Sequence, residues 1–141
     1  MVEPMGVEAS PETLYHWHTV LIVDDDPETL KALRRLLDRE PYDVITTDRP
    51  ALALEWMERK RISLAICDQK MPEMAGDRFL DGVSQRSPRT ARMLLTGYPE
   101  TLNRIPSSKR ASLKVMSKPW NDGVLKQTIR HLLREREASM D

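Results

Sequence analysis

Three consecutive carboxylates, Asp24, Asp25 and Asp26, stand directly after the apolar run TVLIV (19 to 23), and a proline follows them. Two unit charges about 4 Å apart repel by roughly 4 kcal/mol at the effective dielectric of a protein surface, so the cluster needs an offset. Solvation and helix capping supply one kind of offset; a bound cation supplies another. Further reactive groups also follow apolar runs: Asp68 after LAIC (64 to 67), Thr96 after ARMLL (91 to 95) and Lys118 shortly after LKVM (113 to 116). If those runs are strands of one parallel sheet, these groups share the carboxyl rim where open α/β sheets place their sites. An acid pair, a further acid, a hydroxyl and an ammonium at one rim form the inventory for phosphoryl transfer to a carboxylate. Mg²⁺ takes oxygen ligands and keeps several waters, one carboxylate attacks, and the lysine and hydroxyl meet the phosphoryl oxygens.

The elements that must position these groups are legible in the hydrophobic period. Together with YDVIT (42 to 46), the four runs above are too short for helices and are mostly apolar on both faces, which predicts buried parallel strands. Between them Leu30, Leu33 and Leu37, then Ala53, Leu54 and Met57, then Phe79, Leu80 and Val83, recur at helical spacing. A last helix carries Leu125, Ile129, Leu132 and Leu133 on one face. Strand and helix alternate about five times, which implies an α/β fold with a doubly wound parallel sheet. Asp26 before Pro27 reads as an N-cap with proline at the first helical position. Pro106 interrupts whatever helix begins at Pro99, so the fourth helix is expected to be short.

Composition narrows the classes. At 141 residues one domain is the default, and 22 basic against 22 acidic side chains advertise neither a nucleic-acid nor a membrane partner. The single cysteine, Cys67, excludes an intrachain disulfide and suits a reducing compartment, so a cytoplasmic location is expected. No apolar run approaches the roughly 20 residues that span a bilayer, and the first residues lack the pattern of an export signal. Residues 1–17, including His16 and Trp17, read as an irregular lead-in, residues 18–137 as the domain, and 138–141 as a tail. His18 reads as part of the ordered approach to the first strand, Trp120 as packing and His131 as a surface residue.

The motifs VDDD (23 to 26), D-x-x-M-P from Asp68, LLTG (94 to 97) and SKP (117 to 119), in this order and at strand ends, resemble the receiver domain of bacterial two-component response regulators. The resemblance implies a flavodoxin-like five-stranded parallel sheet of order 2-1-3-4-5. It makes Asp68 the phosphoacceptor, Asp25 a direct Mg²⁺ ligand, Asp24 a ligand acting largely through water, and the Lys70 carbonyl a further ligand. Thr96 becomes the switch hydroxyl, Lys118 the phosphoryl-binding cation, and the Lys118–Pro119 bond cis. The implied partners are a sensor histidine kinase or histidine phosphotransfer protein, and an output domain in a longer parent chain. The activity is a phosphorylation switch and not that of a conventional enzyme.

Two departures qualify the resemblance. Val115 stands where many receivers carry a Tyr or Phe, and Pro106 breaks the fourth helix, so output is expected through another surface or a rearranged loop 98 to 112. Lys70 and Tyr98 flank the expected pocket mouth, where the family tunes phosphate lifetime. Two alternatives stay open. One is a degenerate receiver that binds a partner without phosphorylation. The other is a haloacid-dehalogenase-type phosphatase, since Asp24-x-Asp26 after a strand echoes its nucleophile, although Glu28 and the absence of a downstream acid pair fit it poorly.

Overall fold

The apolar runs become strands because side chains without polar groups can pack on both faces of a sheet, and the helical spacing between them supplies the covering layers. The computed structural model describes residues 17–110 and 112–139. Along the chain run β1 (Thr19–Val23), α1 (Pro27–Leu37), β2 (Asp43–Thr47), α2 (Pro50–Arg59), β3 (Leu64–Cys67) and α3 (Gly76–Arg86). There follow β4 (Ala91–Thr96), a 3₁₀ segment (Pro99–Arg104), the single-turn α4 (Ser107–Arg110), β5 (Lys114–Ser117) and α5 (Asp122–Ser139). All strand pairs are parallel and the order is β2-β1-β3-β4-β5, as the resemblance implied.

Alternation along the strands divides the core into two layers. Val20, Ile22, Leu64, Ile66, Met93 and Leu95 face α1 and α5, meeting Leu33, Leu37, Leu125 and Ile129. Leu21, Val23, Ala65, Cys67 and Leu94 face α2 and α3, meeting Ala53, Met57, Phe79 and Val83. Full burial of such side chains contributes about 1.5–3 kcal/mol each, which fixes every strand end relative to its neighbours. The expectation of five buried strands holds for the central ones only. β2 and β5 are the sheet edges, each with one side uncovered, and their side chains are mostly half-exposed.

Asp26 caps α1, accepting the Glu28 N–H at 3.0 Å and the Thr29 hydroxyl at 2.9 Å. This consumes the second acid of the Asp24-x-Asp26 pair, and the phosphatase alternative loses its support. Pro106 confines the fourth helix to one turn, and Ile105, only 4 % exposed, anchors the preceding 3₁₀ segment in the α2–α3 layer. His16 lies outside the described residues. α5 runs through Ser139.

His18 carries more than a lead-in role. Its ring is fully buried, with Nδ1 2.7 Å from the Ser63 hydroxyl and Nε2 3.2 Å from a Glu137 carboxylate oxygen. A carboxylate only accepts, so Nε2–H donates to Glu137 and, in the neutral ring, Nδ1 accepts from Ser63. This contact ties the end of α5 to the starts of β1 and β3. Burial lowers the His18 pKa below 6.5, the Glu137 carboxylate opposes the shift, and Arg136 and Arg61 add to it.

Between the lowered folded value and 6.5 the unfolded chain binds more protons, so the stabilising contribution of neutral His18 is complete above 6.5 and fades as pH falls through that window. In urea unfolding, the stability gap between the wild type and His18→Gln should therefore shrink from about pH 7.5 to about pH 5.5. A gap that widens or stays level would contradict the buried neutral imidazole.

Candidate functional site

Strand register assembles the rim. Val23 pairs with Cys67 across β1 and β3, so the next residues, Asp24 and Asp68, leave the sheet side by side. Thr96 pairs with Ser117 across β4 and β5, which places Lys118 one residue beyond the hydroxyl. Backbone bonds hold these exits in place: Asp24 N–H donates to the Thr47 carbonyl at 3.3 Å, Asp68 N–H to Val23 at 3.2 Å and Lys118 N–H to Thr96 at 2.8 Å. The Lys118–Pro119 peptide is cis, as expected.

Asp24 is 3 % exposed, with its charge met by the Lys118 ammonium at 2.8 Å and the Asp26 N–H at 2.9 Å. The same ammonium lies 3.7 Å from Asp68 Oδ1. Asp24, Asp25 and Asp68 each offer a carboxylate oxygen, all within 4.8 Å of one another, and Asp25 is exposed to solvent. Burial raises the Asp68 pKa and the carboxylates of Asp24 and Asp25 raise it further; Lys118 and the Gln69 N–H oppose them. Three carboxylates around one contacting ammonium leave excess negative charge and hard oxygen donors, a set that fits Mg²⁺.

The other expected residues adopt particular orientations at this rim. Thr96 is fully buried, and its hydroxyl accepts the Tyr98 N–H at 3.0 Å. The Lys70 ammonium sits 3.8 Å from the centroid of the Tyr98 ring, so a cation–π contact bridges the loops after β3 and β4. Val115 packs into the α2–α3 layer, and Trp120 packs on the α1–α5 layer while its indole N–H reaches Asp122 at 3.0 Å. His131 lies on the surface of α5 beside Glu135, as expected.

Gly76 is a determinant that sequence reasoning missed. A Cβ there would collide with the Asp68 carbonyl oxygen and stand 2.9 Å from the Gln69 Cα, so only glycine lets α3 start against the backbone of Asp68. The Gln69 side chain closes the same loop: its amide donates to Asp77 Oδ1 at 2.9 Å, and its carbonyl accepts the Asp77 N–H at 2.9 Å. The only signal was a lone Gly before an amphipathic stretch, which does not reveal a close approach.

A family model described as the response regulator receiver domain matches residues 20–130. The hydrogenase transcriptional regulatory protein HoxA of Cupriavidus necator is 35% identical over 113 residues, covering 79% of this chain and 23% of that protein. The transcriptional regulatory protein GlrR of Escherichia coli is 28% identical over 122 residues, 86% of this chain and 28% of that one. The chain thus spans about a quarter of the length of these curated relatives. Among solved structures, the signal receiver domain of an HD domain-containing protein from Pseudomonas fluorescens superposes with a TM-score of 0.82 at 28% identity, covering 89% of this chain and 93% of that one. The response regulator protein TrrA from Thermotoga maritima, solved in complex with Mg(2+)-BeF, superposes with a TM-score of 0.74 at 25% identity, covering 82% and 99%.

Because the obstruction at Gly76 is backbone and not a flexible side-chain end, Gly76→Ala should destabilise the fold by about 1–3 kcal/mol. Gly123→Ala, whose Cβ would meet nothing closer than Asn121 Oδ1 at 3.5 Å, should be neutral or stabilising by up to about 1 kcal/mol. Urea-unfolding midpoints of the two variants check the contrast.

Proposed function

Since this chain belongs to the response regulator receiver family, we propose that Asp68 accepts a phosphoryl group from a histidine kinase or a histidine phosphotransfer protein and that the resulting aspartyl phosphate switches the surface around β4. The observation that carries this reading is the convergence of Asp24, Asp25 and Asp68 on one point with Lys118 between Asp24 and Asp68. A structural cluster of three carboxylates would be a net cost; a site that must receive a cation and then a phosphoryl group requires one.

Asp24, Asp25, Asp68 and the Lys70 carbonyl are the groups that would hold Mg²⁺, which supplies positive charge against donor and acceptor oxygens when bound. The carboxylate of Asp68 attacks phosphorus in line, and the P–N bond to the donor imidazole breaks with its electron pair leaving on nitrogen. Lys118, already 3.7 Å from Asp68 Oδ1, shifts its hydrogen bonding from Asp24 toward the new phosphoryl oxygens. Thr96 turns its hydroxyl from the Tyr98 N–H toward the same group, and the loop after β4 follows. Output passes to a partner or to a further domain of a longer parent chain; the relatives named above are transcriptional regulators.

Intact mass after incubation with a small phosphodonor and Mg²⁺ tests the reading. One phosphoryl adduct is expected on the wild type, none on Asp68→Asn, and none when the metal is chelated. No adduct on folded wild type under any donor would favour the phosphate-independent binding module.

A further inference from the structure

The broken fourth helix has a consequence at the mouth of the site. The connection after β4 runs as a 3₁₀ segment to Arg104, Ile105 then plugs into the α2–α3 layer, and Pro106 ends the run. A buried anchor next in sequence fixes where the Arg104 backbone lies. Its exposed side chain lines a cavity of about 500 Å³ together with Asp25, Gln69, Lys70, Met71 and Pro72. That volume accommodates a small molecule's body beside the carboxylates.

Of the two cations lining this cavity, Lys70 is occupied on the Tyr98 ring. Lys118 sits on the Asp24 side of Asp68 and is committed to the carboxylates. Arg104 is therefore the cation placed for the other end of a phosphodonor, the part that departs. A guanidinium presents a planar fork of donors that matches a carboxylate in two parallel hydrogen bonds, and it stays charged at any physiological pH.

Resting on the phosphoacceptor reading above, we propose that Arg104 is a specificity-determining residue that favours acyl phosphates as direct donors, by pairing with the carboxylate that leaves. In that transfer the Asp68 oxygen forms the new bond to phosphorus while the bond from phosphorus to the acyl oxygen breaks. The electron pair stays on that oxygen, so negative charge grows on the departing carboxylate, and the cavity that Arg104 lines is also lined by Asp25, whose carboxylate lies within 4.8 Å of that of Asp68. A donor that releases a neutral amine develops no carboxylate there and gains nothing from the fork.

The test compares initial rates of adduct formation by the full chain with acetyl phosphate and with phosphoramidate, both with Mg²⁺ and below saturation. Arg104→Gln should lower the ratio of the two rates by about two- to five-fold, the range of an exposed charge pair, and added salt should shrink the difference. Arg104→Lys keeps the charge but loses the fork and should restore only part of the ratio. A ratio unchanged by Arg104→Gln, even with both rates reduced, would overturn the assignment, because a general loss of structure moves both donors together. A wild-type chain that takes phosphate from neither donor would instead overturn the phosphoacceptor reading beneath it.

Discussion

Everything at this rim depends on holding like charges together. Three carboxylate oxygens within 4.8 Å of one another repel by roughly 3–4 kcal/mol per pair at an effective dielectric of 20, and the contacting Lys118 ammonium answers only part of this. Asp24 is deprived of water and would be costly without that ammonium, since one partner of a buried pair left alone costs about 3–5 kcal/mol. The site is thus stored electrostatic demand. Its resting state leaves Asp25 and Asp68 under-neutralised, which is the condition for attracting a divalent cation from solution.

Such a cluster persists only if the backbone beneath it cannot relax apart. The interior strands β1, β3 and β4 supply this, because their side chains are mostly apolar on both faces and a one-residue slip would misplace them in both core layers. Register then dictates chemistry: Asp24 beside Asp68 follows from Val23 beside Cys67, and Lys118 beyond Thr96 follows from the β4–β5 pairing. The connection from β4 to β5 is built differently. Among the described residues it holds one buried apolar anchor, Ile105, with a single helical turn and a surface ion pair from Lys109 to Asp81 at 2.7 Å that contributes at most about 1 kcal/mol. A rigid rim bordered by a weakly held segment is suited to a local change that leaves the core untouched.

What was legible in the sequence was what repeats or ends abruptly. Apolar runs of four to six residues ending at Asp24, Asp68 and Thr96 revealed strands and rim together, and Asp26–Pro27 revealed a cap. Local pattern did not settle which strands would be edges: YDVIT carries Asp43 and LKVM carries Lys114, but the interior run ARMLL also carries a charge, Arg92, so only the strand order identifies the edges. Pairings across long separations were equally hidden, as with His18, whose partners Ser63 and Glu137 lie 45 and 119 residues away. Gly76 and Arg104 escaped for a third reason. Their importance lies in what stands next to them in space, the Asp68 carbonyl and the donor cavity, and neither neighbour leaves a trace at the residue itself.

Position 115 carries a valine and not an aromatic. Val115 is partly buried against the α2–α3 layer beside Leu94, its partner in register. The aromatic at the mouth is Tyr98, whose N–H is held by the Thr96 hydroxyl and whose ring is held by Lys70. One restraint ends on the Thr96 hydroxyl itself and the other on Lys70, two residues past Asp68. A hydrogen bond of this kind is worth about 0.5–1.5 kcal/mol net and an exposed cation–π contact about 0.5–1, so together they bias the resting loop by roughly 1–2.5 kcal/mol. Charge-assisted hydrogen bonds to a phosphoryl group, at about 1.5–3 kcal/mol each, exceed that bias once Thr96 and Lys118 both make them. On the reading that Asp68 is phosphorylated, the resting arrangement is weak enough to be reversed by one covalent event.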